Sequence, residues 1–295
     1  MARKFGQDWL AYTHTVRRWI QRLGAIRFGG RQGLARTIKE TTMASEFAHI
    51  DCGNWVSAKL IIIPLLAAAL FLGLTLVSPA FVVVAVLCLL TGAYFVYARY
   101  AFSPRGGNIQ NRLWKLVLDR LDWNGKGRAL DIGCGNGPLT IALAKRYPDG
   151  HVTGIDYWGK KWGYSKAVCE RNAGAAGVTE RVSFQRASAS ALPFDDGFFD
   201  AAVSNFVFHE VSDTRDKREV VKEALRVVKK GGHFAFQDLF LVRKMYGEVD
   251  DLLETIKGWG IAEVAFVDTS ISEFIPAALK LPFMVGKVGI IYGRK

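Results

Sequence analysis

The stretch Leu130-Asp131-Ile132-Gly133-Cys134-Gly135-Asn136-Gly137 decides how this chain is read. An apolar run ends in an acid and passes into a G-x-G-x-G turn, and a helical run from Leu139 to Lys145 follows. Glycines let the backbone approach a ligand where a side chain would collide. In open α/β sheets, ligands bind at the carboxyl ends of the strands, which is where this turn falls. A dinucleotide fits poorly. The spacing G-x-G-x-x-G counted from Gly133 requires glycine where the chain has Pro138, and Asp131 on the ligand side repels a pyrophosphate. A cation such as a sulfonium carrying an amino group suits that acid better. The next apolar run ends in Asp156, and a carboxylate there can take both hydroxyls of a ribose.

Outward from this turn, strand patterns recur at Ala129–Ile132, Val152–Ile155, Val182–Gln185, Ala201–Ser204, His233–Gln237, Ala262–Asp268 and Val288–Tyr292, with helical runs between most of them. The alternation predicts an α/β fold, a doubly wound sheet covered on both faces.

Four ordered segments carry a family resemblance. They are LDIGCGNG at 130–137, the strand-ending Asp156, ALPFDDGFFDAAVSN at 191–205 and EALRVVKKGGHF at 223–234. Together they resemble the class I S-adenosylmethionine-dependent methyltransferases, with most similarity to the small-molecule and lipid branch that includes the quinone-biosynthesis enzymes. The resemblance covers roughly residues 108–295 and implies a seven-stranded Rossmann-like methyltransferase sheet with S-adenosylmethionine as cofactor. It also implies roles for individual positions. Asp131, Gly133, Gly135 and Gly137 hold the methionine part, Asp156 the ribose, and Tyr157 packs against the adenine. Asn205 lies beside the methionine carboxylate or the transferred methyl. Ser188 and Ala189 stand where the family usually has Asp-Ala, so the adenine amino group is either held more weakly or held by the Ser188 hydroxyl and backbone. His209 follows the fourth strand and is the candidate base, needed if the acceptor starts as a hydroxyl, phenol or thiol. Its other reading is a histidine that bonds a backbone carbonyl or lines the pocket. His233 reads as structural.

Upstream the composition changes. Leu60 to Val77 and Ala80 to Ala98 carry no charged side chain and are separated by Ser78-Pro79. Each half is near the lower length that spans a hydrocarbon core of about 30 Å. This predicts a two-helix transmembrane hairpin, with a re-entrant hairpin as the second reading. Lys59, Arg99 and Arg105 flank its outer ends and place both on the cytoplasmic side. Before it, Phe5, Trp9, Tyr12, Val16, Ile20, Leu23 and Ile26 recur at helical spacing among arginines. That pattern fits an amphipathic helix in the membrane interface, or one packed on the catalytic domain. Three parts follow: a basic amphipathic segment (1–58), the hairpin (59–101) and the methyltransferase domain (102–295). The helix expected between Phe102 and Asp122 joins the last two and covers the cofactor site. The apolar segment 270–286 is expected either to touch lipid and substrate or to pack on the sheet.

The formal net charge of +12 points to an anionic partner. Beside an apolar hairpin, an anionic membrane is the simpler choice. Nucleic acid is not expected, since the fourth strand runs into SNFVF rather than the D/N-P-P-Y/F motif common in base-modifying enzymes. The four cysteines form no CxxC pair and read as reduced thiols, and no metal site is expected. Residues 1–20 lack the continuous apolar core of a cleavable signal peptide. The function expected is a membrane-anchored methyltransferase acting on a lipid or another hydrophobic small molecule. The alternative is a non-catalytic S-adenosylmethionine-binding membrane scaffold.

Overall fold

The computed structural model describes residues 50–159 and 163–295, all within one compact unit. The amphipathic pattern from Phe5 to Ile26 lies outside the described residues.

All seven strand patterns form strands of one sheet, in the order β3-β2-β1-β4-β5-β7-β6. They are β1 (Gly127–Ile132), β2 (Gly150–Asp156), β3 (Val182–Arg186), β4 (Phe199–Asn205), β5 (Val228–Asp238), β6 (Glu263–Asp268) and β7 (Gly289–Arg294). The first five are parallel, while β7 runs antiparallel to both β5 and β6. The sheet is therefore mixed. The order reverses between β1 and β4, and the crevice at this switch point is where an open α/β sheet binds its ligand.

Side chains alternate between the faces of a strand, and β1 shows the consequence. Leu130 and Ile132 join a fully buried cluster with Val220 and Leu225 of α6 (Lys217–Arg226) and Leu252 and Ile256 of α8 (Val249–Gly258). Asp131 faces the other side, under α4 (Pro138–Arg146). That side is also covered by α5 (Lys166–Ala176) and by α3 (Ile109–Arg120), which packs on β4 and β5. Helix α3 buries Ile109, Leu113, Val117 and Leu118, and of its side chains only Trp114 reaches the cofactor crevice. It is a sheet-packing helix rather than the cover expected from sequence. A short helix, α7 (Arg243–Tyr246), follows β5.

The apolar stretch forms a helical hairpin with boundaries other than those expected. Helix α1 runs from Lys59 to Leu74 and α2 from Phe81 to Phe102. The first ends early because the backbone tightens after Gly73: Leu76 and Val77 donate to carbonyls three residues back, and the Thr75 hydroxyl caps Leu72 at 2.6 Å. The second continues past Ala98 because Ala98, Ala101 and Phe102 are buried against the α/β domain. Among the described residues α2 alone is long and apolar enough to cross a membrane; its 22 residues make about 33 Å of helix. With 16 residues, α1 falls short of that length. The helices close tightly at Gly92, where an added Cβ would stand 3.0 Å from a Leu65 methyl.

Burial predicts a contrast in stability. Phe236 is fully buried between Phe208 and Phe234, each 5.3 Å away. Phe236→Ala should cost about 3–5 kcal/mol. Leu76 at the hairpin tip is 93% exposed, so Leu76→Ser should stay within about 0.5 kcal/mol. Thermal unfolding of both variants in detergent checks this, and equal losses would contradict the division into core and hairpin.

Candidate functional site

The glycine turn is held from β2. The backbone N–H groups of Gly133 and Cys134 both donate to the Ile155 carbonyl at 2.8 Å. That of Gly135 donates to Asp156 Oδ2 at 2.9 Å. This folding needs positive φ at Gly133 (72°) and Gly135 (59°). At Gly133 a Cβ would stand 2.1 Å from Val207, so the position excludes any side chain on both counts. Gly137 precedes Pro138, which opens α4, and its positive φ leads the chain into that helix.

Two acids sit beneath and beside the turn. Asp131 is 1% exposed, and the Thr140 hydroxyl of α4 donates to its Oδ2 at 2.6 Å. Burial pushes its carboxyl up to about 7, against the opposing hydrogen bond from Thr140. Asp156 also lies above the ordinary carboxylate range because of burial, opposed by backbone N–H donors. Its two oxygens accept from Gly135 and, at 2.7 Å, from Trp158. Asp156 thus shapes the turn as well as facing the crevice. The Trp158 indole N–H and the Cys169 thiol both reach the Gly135 carbonyl, at 2.9 and 3.1 Å.

The other expected residues meet at the same place. A cavity of about 750 Å³ is lined by Asp131, Gly133, Gly135, Asp156, Tyr157, Ser188, Ala189, Asn205 and His209, whereas Gly137 is not in its lining and packs toward Phe184 and Cys169. Tyr157 lies at its rim, 62% exposed, with the Arg186 guanidinium 4.9 Å from its ring centroid. One ring face is therefore occupied. His233 lies in β5 and does not line the cavity. At Asn205 the buried Oδ1 has no hydrogen-bond partner among the described residues.

Three features of the site went unread in the sequence. Where Ser188 stands for the family acid, a carboxylate arrives from another loop: Ser188 and Ser190 donate to Asp213 Oδ2 at 3.1 and 2.6 Å. Those bonds, led by Ser190, hold the exposed Asp213 carboxyl below its ordinary range. Behind His209 stands Asp238, fully buried, with Oδ1 2.8 Å from Nδ1. Asp238 also accepts from the backbone N–H groups of Val207, Phe208 and Leu239. A carboxylate accepts, so Nδ1–H donates to Asp238, and on the other side of the ring Nε2 lies 3.6 Å from the Glu210 carboxylate. The signal for Asp238 was available, since β5 ends in an acid as β2 does, and β1 carries one a residue before its end. The third feature is Trp55, which lines the cavity from the segment leading into α1. Nothing local to its sequence marks it. Among the described residues no group of three His, Cys, Asp or Glu side chains is placed to hold a metal.

The fold and this crevice define an α/β domain built around a nucleoside-containing cofactor. Comparison with known proteins gives the family of that domain: residues 130–236 match the methyltransferase domain. The 27-O-demethylrifamycin SV methyltransferase of Amycolatopsis mediterranei is 35% identical over 161 residues, which cover 53% of this chain and 55% of that protein. The demethylmenaquinone methyltransferase of Roseiflexus castenholzii is 37% identical over 153 residues, covering 48% and 59%. The ubiquinone/menaquinone biosynthesis C-methyltransferase UbiE of a Geobacter species is 30% identical over 158 residues, covering 45% and 63%. The chain thus spans less than two thirds of the length of these relatives. The matched region is an S-adenosylmethionine-dependent methyltransferase domain. The residues present fit that cofactor, because the orphaned Asn205 Oδ1 and the Asp131 carboxyl both suit a cation.

The raised Asp131 pKa predicts a pH dependence. Between about pH 4 and 7 the folded chain holds a proton that the unfolded chain has lost, so this group's contribution to stability falls as pH rises through that window. A cationic cofactor favours the carboxylate. Binding below pH 7 should therefore release a proton, and affinity should rise with pH by up to about tenfold per unit, the limit for one linked proton. Calorimetry at pH 6 and 8 checks this, and Asp131→Asn should flatten the profile.

Proposed function

We propose that this protein is a membrane-anchored methyltransferase that carries a methyl group from S-adenosylmethionine to a hydrophobic small molecule with a quinol-like or phenolic ring. One observation supports it above the others: a single cavity joins the glycine turn, the His209–Asp238 pair and the base of an apolar helical hairpin. The names of the demethylmenaquinone and ubiquinone/menaquinone relatives point to the same ring chemistry.

S-adenosylmethionine, when bound, supplies an electrophilic methyl group. The residues of the chain bind and orient around it. Asp156 takes the ribose hydroxyls with the lone pairs left by Gly135 and Trp158. Asn205 Oδ1 accepts from the ammonium group, Asp131 lies beneath the methionine part, and the glycine turn lets the backbone come close. Tyr157 offers its free face to the adenine. Asp213, with Ser188 and the neighbouring Ala189, bounds the adenine end and stands in for the family acid. His209 Nε2 takes the proton of a ring hydroxyl, and Asp238 keeps the imidazole in the tautomer that can do so. Positioning supplies much of the remaining rate in an in-line displacement.

The membrane part of the reading rests on the hairpin surface. Of the exposed large hydrophobic side chains among the described residues, all but Tyr157, Ile271 and Phe283 lie between Leu60 and Tyr100. An apolar surface of that extent marks a membrane or a partner. Lys59, Arg99 and Arg105 at the hairpin base support a catalytic domain on the cytoplasmic side of the membrane, the inner membrane in a bacterial cell.

Full-length protein, methyl-labelled cofactor and demethylmenaquinol in detergent test the activity. Label should enter the organic phase, and His209→Ala should lower the rate by about 10²–10⁴-fold. Cofactor binding without any labelled organic product would leave a scaffold instead. The adenine assignment has its own check. Asp213→Ala should weaken cofactor binding, and Ser188→Asp added to it should restore much of the loss. Calorimetry that shows no change at Asp213→Ala would refute the substitution of one acid for the other.

A further inference from the structure

The cavity has two ends of opposite character. One end carries Tyr157, Ser212 and Asp213, all exposed to water. The other is lined by Leu60 of α1, Phe95 and Phe102 of α2, and Phe283 and Met284 of the segment between β6 and β7. Leu60 and Phe283 line the cavity and are still 42% and 67% exposed, so each reaches both the cavity and the outer surface. Leu60 belongs to the hairpin surface, where the exposed large side chains are apolar.

The apolar wall continues inward without a break. Phe102 lies 5.8 Å from Trp55, Trp55 lies 4.9 Å from Phe206, and Phe206 stands edge-on to the His209 ring at 6.2 Å. Phe206 holds a φ of 58°, a conformation a bulky residue adopts only when its surroundings require it. The segment carrying Phe283 is fixed to the hairpin: the Tyr94 hydroxyl donates to the Ala278 carbonyl at 3.0 Å, and the Tyr94 ring packs edge-on to Phe283 at 6.3 Å. Ile275, Leu279 and Val285 of the same segment are buried with Ala98 and Phe102 of α2. This end of the cavity is therefore framed by packed elements.

We propose that this end of the cavity, between Leu60, Phe95, Phe283 and Met284, is a lateral portal. Through it an amphiphilic acceptor enters from the bilayer, its ring reaching His209 while its apolar tail stays on the hairpin surface. The cofactor enters from the aqueous end. The hairpin then forms one wall of the acceptor site, and the portal residues set the preference for tailed over tailless acceptors. This inference rests on the cavity being the methyl-transfer site.

The test uses full-length protein in phosphatidylcholine vesicles and two probes, 1,4-naphthohydroquinone and the same ring with a farnesyl tail ending in a diazirine. Phe283→Asp should raise the ratio of KM for the tailed probe to KM for the tailless one by about tenfold. Ile271→Asp, equally exposed on the same segment but outside the cavity lining, should leave that ratio at the wild-type value. Photolysis should label residues 57–65, 91–99 or 281–285. An unchanged ratio for Phe283→Asp, or labelling confined to the aqueous end, would overturn the portal. Labelling at the portal with no methylation of either probe would support the route and count against the methyl-transfer reading alone.

Discussion

The end of β2 is the fixed point of this molecule. The Ile155 carbonyl and the Asp156 carboxylate together engage the backbone N–H groups of three successive residues, Gly133, Cys134 and Gly135. Unpaired N–H groups in a buried turn would each cost a hydrogen bond's worth of free energy, and β2 satisfies them while leaving the loop pointing into the crevice. Everything at the site is registered to this clasp. It brings the Gly135 carbonyl to Trp158 and Cys169 and starts α4, whose Thr140 then reaches back to Asp131. The clasp works only because β1 and β2 are parallel neighbours in register, Ile132 opposite Ile155.

A second set of contacts joins the hairpin to this framework. Trp55 sits among Phe102, Trp114 and Phe206, and its backbone N–H donates to the Gln110 side chain at 3.3 Å. Asn54 and Arg99 bond across to the backbone of α2 and of the lead-in segment respectively. Asp51 and Asn172 exchange hydrogen bonds at 3.0 and 2.9 Å, and Asn172 also holds the Asn136 carbonyl in the glycine turn. The lead-in to the hairpin is thus connected to the cofactor loop through one asparagine. The geometry couples the apolar hairpin to the cavity more closely than a flexible tether would.

Much of this was legible from residue order. Seven strands followed from alternating apolar runs, because a parallel sheet buried on both faces writes itself as Val, Ile, Ala and Phe with few interruptions. The glycine turn was legible because positive φ and close approach leave glycine as the only residue that fits. The hairpin was legible as composition, but its helix ends were not. Where α1 stops depends on a local tightening after Gly73, and where α2 stops depends on burial of Ala101 and Phe102 against the domain.

What escaped the sequence has a common physical cause. Asp213 reaches Ser188 across 25 positions, Asp238 reaches His209 across 29, and Trp55 meets Phe206 only because two separate parts of the chain converge. Such pairs leave no periodicity in the sequence. By itself the sequence determined which segments become strands, where the backbone must turn without a side chain, and which stretch cannot lie bare in water. These depend on each residue's own conformational limits and on its affinity for water. The tertiary structure alone decided which acid faces which base, that Asp131 is buried far enough to hold its proton toward neutrality, and that the hairpin supplies a wall of the cavity. Those properties depend on distance and on exclusion of water, which exist only once the sheet has brought remote residues together.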